Sequence, residues 1–418
     1  MGLFPGGDRR IVKTTEWEFE MSDLSIKKDY LKDRTLGCMV GGAVGDALGY
    51  PVEFRSWNDI VNEYGEKGIT RYKLARNGKA LISDDTQMTL FTAAGLLQGM
   101  TRGFMRGIMG RPDTYCECTY IDWLMTQTFT ERPVSHETFD SCHTWLMDVP
   151  ELYSRRAPGN TCIMAIEALK NHDGVKNDSC GCGGVMRTAP IALLCSIHQY
   201  GDGDNKYIDM MAAEAARLTH KHPLGFLPSA VLNHLIMDIM DGEVVGCNRL
   251  AHAARQAIDV LPEIDSEPDH HKTYGELWPK HVKRLQDIVL QAIDLAHTDT
   301  ADMKAIAQIG EGWTGHEALA IAIYSAIKHA DSFEDAVVSA VNHSGDSDST
   351  GAICGNIMGC LLGRSRIPDY YTDKLEIVDV IEEMATDLYT GCIISEYDPC
   401  DTPEKQRWKR KYVYIRWK

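Results

Sequence analysis

A chain of 418 residues with 44% hydrophobic and 25% charged residues has ordinary globular composition and enough apolar material for a sizeable core, which excludes collagen-like, low-complexity and wholly disordered classes. Lys and Arg number 43 against 60 Asp and Glu, a net charge of −17, so a broad nucleic-acid surface is not expected and any anionic ligand has to be met by a local site. Thirteen cysteines, an odd number scattered without a framework, point to a reduced, cytoplasmic protein.

Helical periodicity dominates, and an all-α protein is expected. In chain order, Glu16-Trp17-Glu18-Phe19-Glu20-Met21 alternates like a strand. Gly37, Gly41, Gly45 and Gly49 then form a stripe with a spacing of four. Apolar residues at three- and four-residue spacing predict helices over 85–100, 160–169, 207–218, 285–296 and 316–329. A second stripe, Gly351, Gly355, Gly359 and Gly363, marks another helix, and a further one is predicted over 374–389. The last run, residues 412–417, alternates again inside a basic segment. Pairing it with the acidic first run would match charge across strands; two unrelated edge segments are the alternative. Each interior glycine costs about 1 kcal/mol of helix propensity, so a stripe is expected where another backbone comes very close. No run reaches the roughly 18 apolar residues of a membrane span, the longest lying near 189–197. The start MGLFPGGDRR shows neither an apolar secretory core nor the hydroxyl that a myristoylation pattern wants at position 6.

Two helix starts are acidic beyond need: Ser83-Asp84-Asp85-Thr86 and Gly345-Asp346-Ser347-Asp348-Ser349-Thr350. Capping asks for one Asp or Ser; two acids plus hydroxyls at both places suggest hard oxygen ligation, which favours Mg²⁺, Mn²⁺ or Ca²⁺ over zinc. The Cys116/Cys118 and Cys180/Cys182 pairs are C-x-C and lack the spacing of zinc knuckles. A calcium EF-hand fails because its bidentate Glu would fall on Ile357. If the two starts converge, their carboxylates need cations to join them, and two metals about 3.5–4 Å apart is the familiar solution.

Gly45-Asp46-Ala47-Leu48-Gly49 with Pro51-Val52-Glu53-Phe54, then Ser83-Asp84-Asp85-Thr86, Gly181-Cys182-Gly183-Gly184-Val185-Met186-Arg187, Thr219-His220 and Gly345-Asp346-Ser347-Asp348-Ser349-Thr350-Gly351 together resemble the ADP-ribosylglycohydrolase family, in family order. The resemblance covers roughly 31–390, leaving an N-terminal extension over 1–30 and a basic segment over 391–418. It implies a single-domain, all-α fold with two Mg²⁺ or Mn²⁺ ions that cleaves ADP-ribose from an acceptor. By position it makes Ser83, Asp84, Asp85, Asp346, Asp348 and Ser349 the metal ligands, with Thr350 a less suitable substitute for Ser349. Asp84 or Asp85 would orient the attacking water, and Glu53 would serve as acid or base at the cleft, or else be a solvated loop residue.

Ser179, Cys180, Gly181, Cys182 and Gly183 resemble the loop around the diphosphate, where glycines let backbone N–H groups approach phosphate oxygens. Cys180 and Cys182 stand where other residues are common in the family, which makes backbone contacts the safer expectation. His220 resembles a phosphate or ribose contact. Trp313 resembles a residue closing over the adenosine half, with core packing as its alternative, and residues 153–160 resemble a loop beside the substrate mouth. The motif forms favour removal of ADP-ribose from arginine. Other ADP-ribosyl linkages (serine, O-acetyl-ADP-ribose, a nucleobase) are the second reading, and an immunity protein that blocks a cognate ADP-ribosylating toxin is the third. Expected partners are an ADP-ribosylated protein and such a toxin, without nucleic acid or membrane.

Overall fold

The computed structural model describes residues 12–107, 110–131, 144–199, 205–242, 244–264, 274–397 and 400–413. Among the described residues there are seventeen α-helices and no sheet, and the extended pairing consists of isolated bridges, Ala80 with Leu375 and Gly181 with Thr314. Helix α1 (Val12–Gly49) runs for 38 residues. Residues 12–36 contain neither Gly nor Pro, so nothing stops the helix from passing through Glu16–Met21, where a strand was expected. The expected pairing of the two termini is not formed among the described residues, and residues 414–417 of the second run lie outside them.

Helix α2 (Trp57–Tyr64) is capped by Ser56, and α3 (Asp84–Arg106) starts at Ser83 and ends on Gly107 at φ 67, a left-handed stop that glycine supplies without strain. Helix α4 (Pro112–Thr128), with Pro in its first turn, lies against α3. Then come α5 (Asn160–Lys170), α6 (Ala189–His198), α7 (Asn205–Arg217) and α8 (Pro223–Met240). Helix α8 corrects one expectation: its 18 residues are long and apolar enough to cross a membrane on length and composition, and 94% of them are buried inside the fold. It is apolar on all sides because other helices surround it.

Helices α9 (Gly246–Asp259), α10 (Trp278–Ala296), α11 (Asp302–Ile309), α12 (Gly315–Lys328), α13 (Phe333–Val341) and α14 (Ser347–Leu362) complete the body. The single helix expected over 374–389 is two, α15 (Asp369–Lys374) and α16 (Val378–Thr390). Between them the chain is drawn out to meet residue 80. Ala80 N–H donates to the Lys374 carbonyl at 2.8 Å, Glu376 N–H donates to the Ala80 carbonyl at 3.0 Å, and Ile377 turns through φ 47. Helix α17 (Pro403–Tyr412) docks by Trp408, whose indole N–H donates to Thr101 Oγ1 at 3.0 Å, and by Tyr412, whose hydroxyl donates to Asp387 at 2.6 Å.

The glycine stripes meet as expected. A Cβ on Gly37, Gly41 or Gly45 would lie 2.1, 2.3 or 1.9 Å from the carbonyl oxygens of Gly359, Gly355 and Gly351. Rising numbers on α1 thus face falling numbers on α14, an antiparallel contact of bare backbone. Gly363 is the exception: it lies beyond the end of α14 at φ 87, against Asp33. This register sets the C-terminal end of α1 beside the N-terminal end of α14. It therefore places Asp46 and the following Glu53 turn next to the Asp346–Ser349 start.

Candidate active site

Asp46 is fully buried in the last turns of α1 and takes the start of α3 in its carboxylate. Ser83 N–H donates to both of its oxygens at 3.0 and 3.1 Å, Thr86 N–H donates to Oδ2 at 3.1 Å, and the Thr86 hydroxyl also donates to Oδ2. The Thr86 amide is one of the N–H groups left open at a helix N-terminus. The Ser83 hydroxyl accepts from Asp85 N–H at 3.2 Å, while Asp84 N–H donates to the Arg156 carbonyl and Asp84 Oδ2 accepts from Gly159 N–H. Arg156 is itself clamped two-pronged on Glu376 at 3.0 and 3.1 Å and donates to the Ile82 carbonyl at 3.0 Å. The stretch that breaks the expected helix over 374–389 thus holds the strand-like approach to Ser83.

On the other side, Asp346 caps α14 by accepting from Ser349 N–H at 3.2 Å, and Asp348 Oδ1 accepts from the same amide at 2.9 Å. The Thr350 hydroxyl is turned away, donating to the carbonyls of Ala340 and Asp346; Ser349 is the hydroxyl of this start that faces Cys182 and Met186. Glu53, Asp346 and Asp348 bring carboxylate oxygens within 4.8 Å of one another.

The α3 start feels the charge of this cluster, which holds Glu53, Asp346 and Asp348 but neither Asp84 nor Asp85. Burial, then Asp348, raises Asp84 and Asp85 well above the usual carboxylate range. Burial raises Asp348 and Asp346, and Asp346 pushes Asp348 further. Glu53 is pushed up to about 11, by burial first and then by Asp348 and Asp346, and Asp46 up to about 7, by burial and then Asp348. Carboxylates confined together resist joint ionisation. Asp85 Oδ2 is buried without a hydrogen-bond partner among the described residues, so a bound cation would satisfy it. An all-oxygen donor set of carboxylates and hydroxyls fits a hard divalent cation.

The loop after α5 packs across the cleft. Gly181 N–H donates to Ser179 Oγ at 3.3 Å, Cys182 N–H donates to the Trp313 carbonyl at 3.3 Å, and Gly315 N–H donates to the Cys180 carbonyl at 2.8 Å. Two amides expected to face an anion are therefore engaged by the protein. Cys182 instead directs its thiol at Asp346 Oδ2, 2.7 Å away. His220 lies beneath the loop, its Nε2 3.2 Å from where a Cβ on Gly181 would sit and its Cε1 3.0 Å from one on Gly183. The Trp313 ring is stacked on Phe54 with centroids 5.1 Å apart and planes at 25°. Phe54 is 70% exposed and holds φ 62, an uncommon conformation for a residue with a side chain.

A family model for ADP-ribosylglycohydrolase matches residues 27–396. The chain belongs to the ADP-ribosylglycohydrolase family. Among relatives, an ADP-ribosyl-[dinitrogen reductase] glycohydrolase of Rhodospirillum rubrum is 26% identical over 82% of this chain and 91% of its own. An uncharacterized protein of Archaeoglobus fulgidus is 25% identical over 86% of this chain and 97% of its own. The ADP-ribosylhydrolase ARH1 of Dictyostelium discoideum is 24% identical over 50% of this chain and 60% of its own. A solved chain from an ADP-ribosylglycohydrolase-related protein complex superposes with a TM-score of 0.56 over 87% of this chain and 99% of that one, at 21% identity, and shares the fold. An ADP-ribosylglycohydrolase is a hydrolase of ADP-ribosyl groups, and the acidic cluster is where such a protein can bind metal.

Sequence reasoning assigned no site role to Asp46, Phe54, Arg156 or Glu376. A buried-looking Asp interrupting a glycine-striped apolar helix was the available signal for Asp46. Phe54 and the Arg156–Glu376 clamp act across distant segments, which no local spacing announces.

Proposed function

We propose that the protein hydrolyses the N-glycosidic bond between ADP-ribose and an arginine of a mono-ADP-ribosylated protein, with two Mg²⁺ or Mn²⁺ ions in the acidic cleft. The observation that carries this reading is the cluster of Glu53, Asp346 and Asp348, whose charge acts on Asp84 and Asp85; a buried Asp85 oxygen without a protein partner among the described residues supports it. Ser83, Asp84 and Asp85 would hold metal from α3, and Asp346, Asp348 and Ser349 from α14, with Glu53 beside them. When bound, divalent cations supply positive charge for ribose hydroxyls and lower the pKa of water.

The chain's own groups do the rest. Asp85, with a free carboxylate oxygen, is the base that orients an attacking water against the anomeric carbon. Glu53, whose carboxylate lies within 4.8 Å of those of Asp346 and Asp348, is placed to serve as acid or base at the cleft. Positive charge that develops on the ribose ring is met by the surrounding carboxylates. The 179–183 loop with His220 takes the diphosphate, and Trp313, already stacked on Phe54, borders the adenosine half. The arginine acceptor is supported by the D-S-D-S-T-G form of the motif and by the similarity to an ADP-ribosyl-[dinitrogen reductase] glycohydrolase.

The test is incubation with mono-ADP-ribosylated arginine and serine peptides in Mg²⁺, in Mn²⁺ and in excess chelator. ADP-ribose should leave the arginine peptide in either metal and stay on it in chelator. Release from the serine peptide alone would move the reading to another linkage, and undiminished release in chelator would remove the metals from it.

A further inference from the structure

Arg187 is fully buried, and among the described residues no carboxylate pairs with it. Its Nη2 donates to Thr219 Oγ1 at 2.7 Å and to the Ala215 carbonyl at 3.4 Å. Its Nη1 donates to Cys162 Sγ at 3.4 Å and Met88 Sδ at 3.6 Å, its guanidinium lies 4.5 Å over the Tyr120 ring, and its Nε has no partner. A buried guanidinium without a counterion is costly, and a ring face and two sulfurs compensate it weakly. Such a charge is maintained more cheaply where an anion binds nearby.

The route from this charge to the cleft is one hydroxyl long. Thr219 Oγ1 accepts from Arg187, which has only protons to offer, and sits 2.9 Å from His220 Nδ1. The Ala216 carbonyl is farther, at 3.3 Å, and Cys162 Sγ, which the hydroxyl also meets, is a weaker acceptor. The hydroxyl proton is therefore best placed on Nδ1, which must then carry a lone pair, and the ring proton must be on Nε2. That atom faces Gly181 and Gly183.

We infer that Arg187 and Thr219 are positioning residues that lock His220 as the neutral Nε2–H tautomer, making it a fixed hydrogen-bond donor for an anionic oxygen under the 179–183 loop. Burial and the Arg187 charge agree, holding His220 down to about 3, so it is neither a cation nor a general acid near neutrality. Thr219 favours this tautomer because Arg187 takes one of its lone pairs at 2.7 Å and its proton has a nearer acceptor in Nδ1, at 2.9 Å, than in the Ala216 carbonyl, at 3.3 Å. That the anion is a diphosphate rests on the proposed function; the tautomer does not.

The experiment uses the full chain labelled with ¹⁵N histidine at pH 7, with the His220 resonances identified by their loss in His220→Gln. Long-range ¹H–¹⁵N correlations should show His220 protonated on Nε2 and bare on Nδ1 in the parent and in Thr219→Ser. Thr219→Val, which keeps the shape and removes the hydroxyl, should lose that fixed signature. ADP-ribose affinity should fall about tenfold to a hundredfold in Thr219→Val and in Arg187→Met, the loss expected for a charge-assisted hydrogen bond, and stay near parental in Thr219→Ser. A parent with protonated Nδ1 or an imidazolium, or a Thr219→Val variant with an unchanged spectrum, overturns the inference. A correct tautomer in a protein that does not bind ADP-ribose would leave the relay standing and overturn the functional reading instead.

Discussion

Asp85 and Asp348 face the same cleft from different helices, and each is more acidic machinery than a helix start needs. Asp85→Asn and Asp348→Asn should therefore abolish metal-dependent release of ADP-ribose while circular dichroism stays parental. Melting should change little, because relief of carboxylate repulsion offsets a lost cap of about 1 kcal/mol; full turnover in either variant would sink the roles given to them. The same repulsion sets a pH dependence. Asp46, Asp84, Asp85 and Asp348 are all raised in the folded state, so between their ordinary values near 4 and their folded values the native protein binds more protons than the unfolded chain. Stability then falls as pH rises through that window, which for Asp46 closes at about 7. In chelator, the melting temperature should drop between pH 5 and pH 8, and the drop should shrink in Asp348→Asn and in saturating Mn²⁺. A melting temperature in chelator that is flat or rises over that interval contradicts the raised values. The metal ligands were legible in the sequence because excess acid at a helix start is a local feature. Asp46 was not, since its task depends on where α1 delivers it.

Helices α1 and α14 approach so closely that carbonyls along the glycine stripe of one occupy the place of a Cβ on the other. Backbone, unlike a side chain, cannot rotate away. Gly41→Leu and Gly355→Leu should each lower stability by about 3 kcal/mol or more, as overpacking of a dense core does, and even Gly45→Ala should destabilise, its Cβ falling 1.9 Å from the Gly351 carbonyl oxygen. Gly159→Ala is the control, since nothing lies within 4 Å of its Cβ position. Chemical denaturation reads all four, and leucine variants that unfold at the parental midpoint would mean the stripes do not set the packing. The stripes were readable because a cost repeated at a spacing of four implies a compensating contact. The helix expected over 374–389 was misread because its apolar period continues through residues 375–377, whereas Ala80 and Arg156, from far upstream, recruit that stretch for their own hydrogen bonds. Likewise the alternation of Glu16–Met21 fits a strand locally, but the uninterrupted helix that follows it decides otherwise.

For the molecule as a whole, the fold and the family match have different limits. The match ends at 396, yet Trp408 and Tyr412 are buried beyond it, so α17 belongs to the core. At the other end, α1 continues across the start of the match at 27 without a break. The outermost described side chains tied to the body are Tyr30, whose hydroxyl donates to the Ile239 carbonyl at 3.3 Å, Asp33, which accepts from Ser365 N–H at 3.0 Å, and Arg34, which donates to the Cys360 carbonyl at 3.0 Å. Lys27, Lys28 and Asp29 are exposed. Removing residues 1–26 should therefore leave the melting temperature and peptide turnover at parental levels, because every anchor named here and the whole acidic cleft remain. Removing residues 1–35 takes away three anchors and the turns that precede the Gly37–Gly359 contact. It should lower stability by about 2–3 kcal/mol, at roughly 1 kcal/mol per lost hydrogen bond, while turnover measured well below the melting temperature persists. The two truncations together separate a helix that needs its first anchors from an arm with work of its own. If the shorter truncation lost turnover with its stability intact, residues 1–26 would reach the cleft, and the boundary of the catalytic unit would have to move to include them.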